Sequence, residues 1–175
     1  MSEALSGQTR VRHLTLDDLA AALEIDRRSF ALPWTESSFR FEITENPSSR
    51  PLLLEIFENG DWQPAGVMVS WVILDEAHIG TIAVDPAYRR RGLGEVLLNY
   101  ALDVLAGEGV QQVFLEVRAG NQPAQNLYLK FGFVVDGVRR RYYKDNGEDA
   151  LLMRLANLPE WARSRQGAAW TKQSS

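Results

Sequence analysis

The sequence predicts an α/β (α+β) fold with a single mixed, mostly antiparallel central sheet flanked by helices. Three observations carry that expectation. Apolar runs at Leu52 to Phe57 and Gly66 to Ile73 are joined through Asn59-Gly60, a strong hairpin signal. From Ile79 onward, strand-like and helix-like periodicities alternate to Leu155, the order expected of a sheet with helices packed on it. The chain has 175 residues, 45% hydrophobic and 24% charged, which suits one well-buried core and is too short for two large ones.

Val11 to Leu14 reads as a first strand. Thr15 and Asp18 then form a capping pair, opening a helix with Leu19, Leu23 and Ile25 on its apolar face and an end near Phe30. Pro33 interrupts, Thr35 offers a new N-cap, and Phe39, Phe41 and Ile43 indicate a short second helix before Asn46-Pro47. After the hairpin, Ile79 to Val84 forms another strand, halted by Pro86. Val96, Leu97, Tyr100, Ala101, Val104 and Leu105 recur at helical spacing until Gly107 and Gly109. Val113, Leu115 and Val117 alternate with Phe114 and Glu116, giving a strand with two distinct faces. Asn121 can cap the next helix, Pro123 is tolerated in its first turn, and Gly132 suits a left-handed C-cap. Ala124, Leu127 and Phe131 are the expected inward residues of that helix, and Phe133 to Val138 and Ala150 to Leu155 supply the last strands.

The turn Val84-Asp85-Pro86-Ala87-Tyr88-Arg89-Arg90-Arg91-Gly92-Leu93-Gly94 joins a strand to a helix. Glycines at 92 and 94 let unpaired first-turn N–H groups approach an anion, and the helix dipole and three arginines add to the attraction. A pyrophosphate fits this chemistry; the plainer reading is a tight turn with solvated arginines. No Gly-Lys-Ser/Thr ending makes it a Walker loop, and Leu97 stands where a dinucleotide loop has its third glycine.

Arg89 to Gly94, as Arg-x-x-Gly-x-Gly, resembles the acyl-coenzyme A loop of the GCN5-related N-acetyltransferase superfamily. The resemblance extends to Leu115-Glu116-Val117-Arg118, Asn121, Leu127-Tyr128-Leu129-Lys130-Phe131-Gly132-Phe133, Phe30-Ala31-Leu32-Pro33-Trp34, Arg140-Arg141-Tyr142-Tyr143 and Glu148-Asp149-Ala150. These segments are similar to the bacterial ribosomal-protein alanine N-acetyltransferases, the RimI type. The resemblance implies the N-acetyltransferase fold over residues 1–155, acetyl-CoA as cosubstrate with no metal, and acetyl transfer to a protein N-terminal α-amine, that of a small-subunit ribosomal protein.

It also implies roles. Glu116 is the general base and Tyr128 the general acid. Arg90, Arg91, Gly92, Leu93, Gly94 and Glu95 hold the phosphates, Glu95 through its backbone alone. Backbone groups of Ile82, Ala83 and Val84 hold the pantetheine arm and acetyl group, and Asn121 contacts the coenzyme as well as capping its helix. Phe30, Pro33 and Trp34 form one wall of the acceptor site, with Arg141 and Tyr142 on a loop lining it. From the residues alone, Glu116 also reads as an outward strand glutamate and Tyr128 as a packed tyrosine with a bonded hydroxyl. A phenol, with a reference pKa of about 10, holds its proton at neutral pH and can give it to a thiolate whose conjugate acid lies near 8.5.

Composition narrows the classes. A net charge of −4 disfavours direct nucleic-acid binding. Apolar runs fall short of the ~18 residues of a membrane span. The first residues, with Glu3, Asp17 and Asp18, lack the pattern of a secretory signal, so a cytoplasmic location and no membrane partner are expected. No cysteine is present, which removes thiolate chemistry, and His13 and His78 stand isolated without a role. A monomer or weak dimer is expected. Residues 156–175, with Trp161 and Trp170, lie past the resemblance as a tail of unknown role, by default mobile. Two alternatives stay open: acetylation of lysine side chains or small-molecule amines, and a coenzyme A binding regulatory module without catalysis.

Overall fold

A computed structural model describes the backbone of residues 8–173 and the side chains of residues 8–165, so Glu3 and the Trp170 side chain lie outside the described residues. Strands β1 (Thr9–His13), β2 (Ser49–Glu58), β3 (Asp61–Ile73), β4 (Glu76–Val84), β5 (Gln112–Arg118), β6 (Val134–Arg139) and β7 (Ala150–Leu155) form one seven-stranded sheet in the order β1-β2-β3-β4-β5-β7-β6. β4 and β5 run parallel, while β1–β2, β2–β3, β5–β7 and β6–β7 are antiparallel. Helices α1 (Leu19–Ser29), α2 (Glu36–Thr44), α3 (Leu93–Gly107), α4 (Gln122–Lys130) and α5 (Leu158–Gln173) complete it. The chain divides into two compact units, Met1–Trp71 with Gly80–Tyr100, and Val72–Ile79 with Ala101–Ser175.

In the first unit, Asn59 and Gly60 both take positive φ (53° and 84°), the geometry of a tight hairpin whose twist matches its strands. The turn therefore pairs Glu58 with Asp61 and carries polar residues into the ladder, extending both strands beyond the apolar runs that announce them. Arg12 reaches from β1 to Asp18 (2.8 Å) and Glu55 (3.1 Å), and the Thr15 N–H donates to Asp18 (2.9 Å), fixing the entry to α1. Leu19, Ala22 and Ile25, at helical spacing, then bury against Leu14, Phe39, Leu53, Val67, Val69 and Ala83. Thr35 caps α2 by accepting the Ser38 N–H at 3.1 Å.

In the second unit, β5 alternates as expected: Val113, Leu115 and Val117 are buried, and Phe114, Glu116 and Arg118 are half-buried on the other face. β4 starts at Glu76, earlier than Ile79, because Glu76, Ala77 and His78 pair with Gln112, Val113 and Phe114. Asn121 caps α4 by accepting the Ala124 N–H at 3.2 Å, and Gly132 ends it at φ 95°. The inward face of α4 is centred on Gln125, Tyr128 and Phe131, with Ala124 and Leu127 only half-buried. A polar residue tolerates that burial because the Gln125 amide donates to the carbonyls of Arg118 (3.0 Å) and Ala119 (2.9 Å). The segment after residue 155 opens α5: Leu158 is fully buried, its N–H donates to the Gln111 carbonyl at 2.9 Å, and Trp161 stacks on Phe131 at 6.1 Å. Among the described residues no helix is long and apolar enough to cross a membrane.

The Arg12 guanidinium beside Asp18 holds that carboxyl down at about 2, against an ordinary value of 3.8. The stability this pair contributes is present above the ordinary carboxylate range and is lost as pH falls through about 2. Urea unfolding of the wild type and Asp18→Asn across acidic pH should therefore converge as the pH drops; a constant difference between them would contradict the assignment.

Candidate active site

The strand-to-helix turn lies in the first unit. Asp85 organises it, accepting the Ala87 N–H (2.8 Å) and pairing with Arg28 (2.9 Å), while its own N–H donates to the Ala65 carbonyl (2.8 Å). Arg90 and Gly92 both take left-handed φ, 64° and 73°. Helical hydrogen bonding resumes with Val96 N–H donating to the Gly92 carbonyl at 3.2 Å, so the amides ahead of it lie outside the ladder of α3. In a turn, successive N–H groups can point towards one concavity, a geometry that suits an anion. A Cβ at Gly92 would meet nothing within 4 Å, so its left-handed φ, and not crowding, is what favours glycine there. The arginines are not equivalent. Arg91 pairs with Glu58 and lies over the Tyr88 ring (5.5 Å), and Arg89 Nε donates to the Val84 carbonyl (3.1 Å). The residues present fit a pyrophosphate through their backbone first and their side-chain charge second.

The half-exposed face of β4 carries His78, Gly80, Ile82 and Val84; Ala77, Ile79, Thr81 and Ala83 are buried on the other. Also in the first unit, Phe30 ends α1 with its N–H on the Asp26 carbonyl (3.0 Å), Pro33 is exposed, and Trp34 is half-buried against the core. Trp34 is held by a residue absent from the sequence-based reading. Asp26, fully buried, accepts the Trp34 N–H (2.7 Å) and the Thr81 hydroxyl (3.3 Å). Burial pushes its carboxyl above the ordinary value, with those two hydrogen bonds opposing.

The second unit brings together Glu116, Tyr142, Arg139 and His78. The Tyr142 hydroxyl donates to Glu116 Oε2 (3.3 Å), His78 Nε2 lies 3.9 Å from the same oxygen, and Arg139 Nη1 lies 4.0 Å from Oε1. The Glu116 side chain keeps 21% exposure, so water or an amine can reach it. Arg141 takes a left-handed φ of 53° and donates its N–H to Asp149 (2.9 Å); its neighbour Tyr142 meets Tyr143 edge-on at 5.2 Å. Arg118 anchors this loop, pairing with Asp145 (3.0 Å) and Glu148 (3.2 Å) and lying 3.9 Å from the Tyr143 ring centroid. Tyr128, 5% exposed, packs on Phe133 at 5.8 Å. Burial and then the field of Tyr143 push its phenol well above the ordinary tyrosine range. Its hydroxyl makes no hydrogen bond among the described residues, unlike the bonded hydroxyl of an ordinary packed tyrosine.

His78, isolated and without a role in the sequence, lies beside Glu116 in the fold, and Asp26 was not singled out at all. His78 meets Glu116 only through the β4–β5 register, and an aspartate on a helix carries no sign of being its buried member. Asp26→Ala would leave the Trp34 N–H and Thr81 hydroxyl without their acceptor, lowering unfolding stability by roughly 1–3 kcal/mol. Urea titration checks this, and a loss within error of zero would rule out the clasp.

Residues 19–133 match the model of the Acetyltransferase (GNAT) family. The [ribosomal protein bS18]-alanine N-acetyltransferase of Escherichia coli (strain K12) is 41% identical over 147 residues, 83% of this chain and 95% of that relative. A Bacillus subtilis (strain 168) protein bearing that name provisionally is 43% identical over 143 residues, 82% of this chain and 92% of its own. Among solved structures, the E. coli ribosomal-protein-S18-alanine N-acetyltransferase aligns with a TM-score of 0.76 at 39% identity, covering 85% of this chain and 93% of that one. Ard1 from Thermoplasma volcanium gives 0.74 at 27%, covering 84% and 96%. With the family model, the near full-length relatives and the superimposed fold in agreement, this chain belongs to the GNAT family and is an acetyl-CoA-dependent N-acetyltransferase.

Proposed function

We propose that this chain acts in the cytoplasm and acetylates the N-terminal alanine of ribosomal protein bS18. The observation that carries the acceptor is the E. coli relative of that name, 41% identical along 95% of its own length. The residue pattern around Glu116 and Tyr128 supports the chemistry.

Acetyl-CoA supplies the thioester carbon that the amine attacks. An α-amine, with a reference pKa of about 7.7 to 8.0, is partly unprotonated near neutrality and needs only modest help. Glu116 accepts its proton directly or through one water, the carboxylate being steered by the Tyr142 hydroxyl and the nearby His78 and Arg139. Tyr128, kept protonated by burial and with its hydroxyl unclaimed, donates to the departing thiolate. The backbone from Arg90 to Glu95 holds the pyrophosphate, the backbone of Ile82, Ala83 and Val84 holds the pantetheine arm and acetyl group, and Asn121 contacts the coenzyme while capping α4. Phe30, Pro33 and Trp34, with Arg141 and Tyr142, receive the acceptor peptide.

Incubation with acetyl-CoA and a peptide copying the bS18 N-terminus, with N-blocked and internal-lysine controls, tests the reading by mass spectrometry. Acetyl on the free α-amine alone is expected; modification of the lysine control instead would reject it. Glu116→Gln should lower kcat by about 10²- to 10⁴-fold, the usual worth of a general base. Tyr128→Phe should lower kcat with little change in KM for acetyl-CoA, and wild-type turnover in that variant would remove the general acid. Because burial raises the Tyr128 phenol, ionisation of this residue should not cause kcat to fall as pH rises through the ordinary tyrosine range. A pH–rate profile whose alkaline fall near pH ~10 vanishes in Tyr128→Phe would contradict this.

A further inference from the structure

We infer that Trp71 sets the size of the first side chain the enzyme accepts, acting as a rigid wall over the β4 strand at Gly80. The inference rests on the proposed function, in which the acetyl group lies along Ile82 to Val84.

Trp71 is fixed from several sides. Its Nε1–H donates to Glu42 Oε2 at 2.8 Å, and that buried carboxylate also accepts from the Asn46 amide at 3.0 Å. Its ring stacks nearly parallel on Trp34, with centroids 6.1 Å apart and planes 8° apart, and Trp34 is itself held by Asp26 and lies 5.1 Å from Phe39. The edge of the Trp71 six-membered ring rests on Gly80: a Cβ built there would collide with Cη2 and meet Cζ3 at 2.8 Å and Cζ2 at 2.9 Å. Gly80 does not have a left-handed φ, so the indole, and not the backbone, excludes a side chain at this position.

Gly80 and Ile82 both lie half-exposed on β4, about 6.5 Å apart along the strand. An amine attacking a carbonyl held at Ile82 brings its own first side chain towards this ring. A methyl group clears an indole edge that cannot withdraw, because Glu42 and Trp34 both hold it; a branched or aromatic side chain does not. Trp71 is thus a specificity-determining residue, and the glycine at 80 is the space its ring fills.

The test compares kcat/KM for two free-amine peptides that differ only in a first residue of alanine or leucine. Trp71→Ala should shift the leucine-to-alanine ratio by about tenfold or more towards leucine, the usual discrimination of a hydrophobic pocket. The double variant Trp71→Ala/Gly80→Leu refills the same space from the strand and should return the ratio towards the wild-type value. A merely structural tryptophan would not produce that reversal. If Trp71→Ala does not fold, Trp71→Phe carries the test, with a smaller shift in the same direction. An unchanged ratio in a folded variant, or a shift that Gly80→Leu does not reverse, overturns the inference. A wild type that acetylates neither peptide overturns the acceptor reading itself, a failure distinguishable because it precedes any mutation.

Discussion

The parallel register of β4 and β5, running from Glu76 opposite Gln112 to Ile79 opposite Leu115, is the constraint on which the side-chain arrangement of the second unit depends. Side chains on a strand alternate with a period of two, so this one register decides which groups share a face. It puts Val113, Leu115 and Val117 into the core and leaves Glu116 on the half-exposed side, with His78 Nε2 at 3.9 Å. A slip of one residue would bury the carboxylate and expose the valines. The antiparallel partner β7 sets Leu152 opposite Glu116, and Arg118 beyond it anchors the loop that carries Arg141 and Tyr142.

The first unit solves a different problem, holding an irregular segment still. Between α1 and α2 the chain has few backbone partners of its own, and Asp26 supplies one by accepting the Trp34 N–H. A buried carboxylate is costly unless its lone pairs are used, and here both oxygens are. Glu42 does the same for the Trp71 indole. Two carboxylates therefore hold two stacked tryptophans, one through its backbone N–H and the other through its indole. The strand-to-helix turn follows a similar logic: Asp85 holds its start, and Arg90 and Gly92 take left-handed φ within it.

The environments of Glu116 and Tyr128 differ in burial and in the polar groups around them. Glu116 is partly exposed and surrounded by a hydroxyl, an imidazole and a guanidinium, groups that orient an anion. Tyr128 is buried against Phe133, and burial and then the field of Tyr143 disfavour its charged form.

Much of this was legible in the chain itself, because the signals are local. The Asn59-Gly60 hairpin, the Thr35 and Asn121 caps, the Gly132 helix stop and the two faces of β5 each depend on a few adjacent residues and their backbone preferences. The strand-to-helix turn around Gly92 was readable for the same reason. The inward face of α4 was not, since a glutamine occupies it by bonding to carbonyls that only the folded chain brings near. Nor were His78 beside Glu116, Asp26 beneath Trp34, or Trp71 on Gly80. Those pairs are separated by tens of residues or joined only through register and burial, quantities that the sequence of side chains by itself determines but does not display. Local propensity thus settled which elements form, while packing across strands decided which side chains meet.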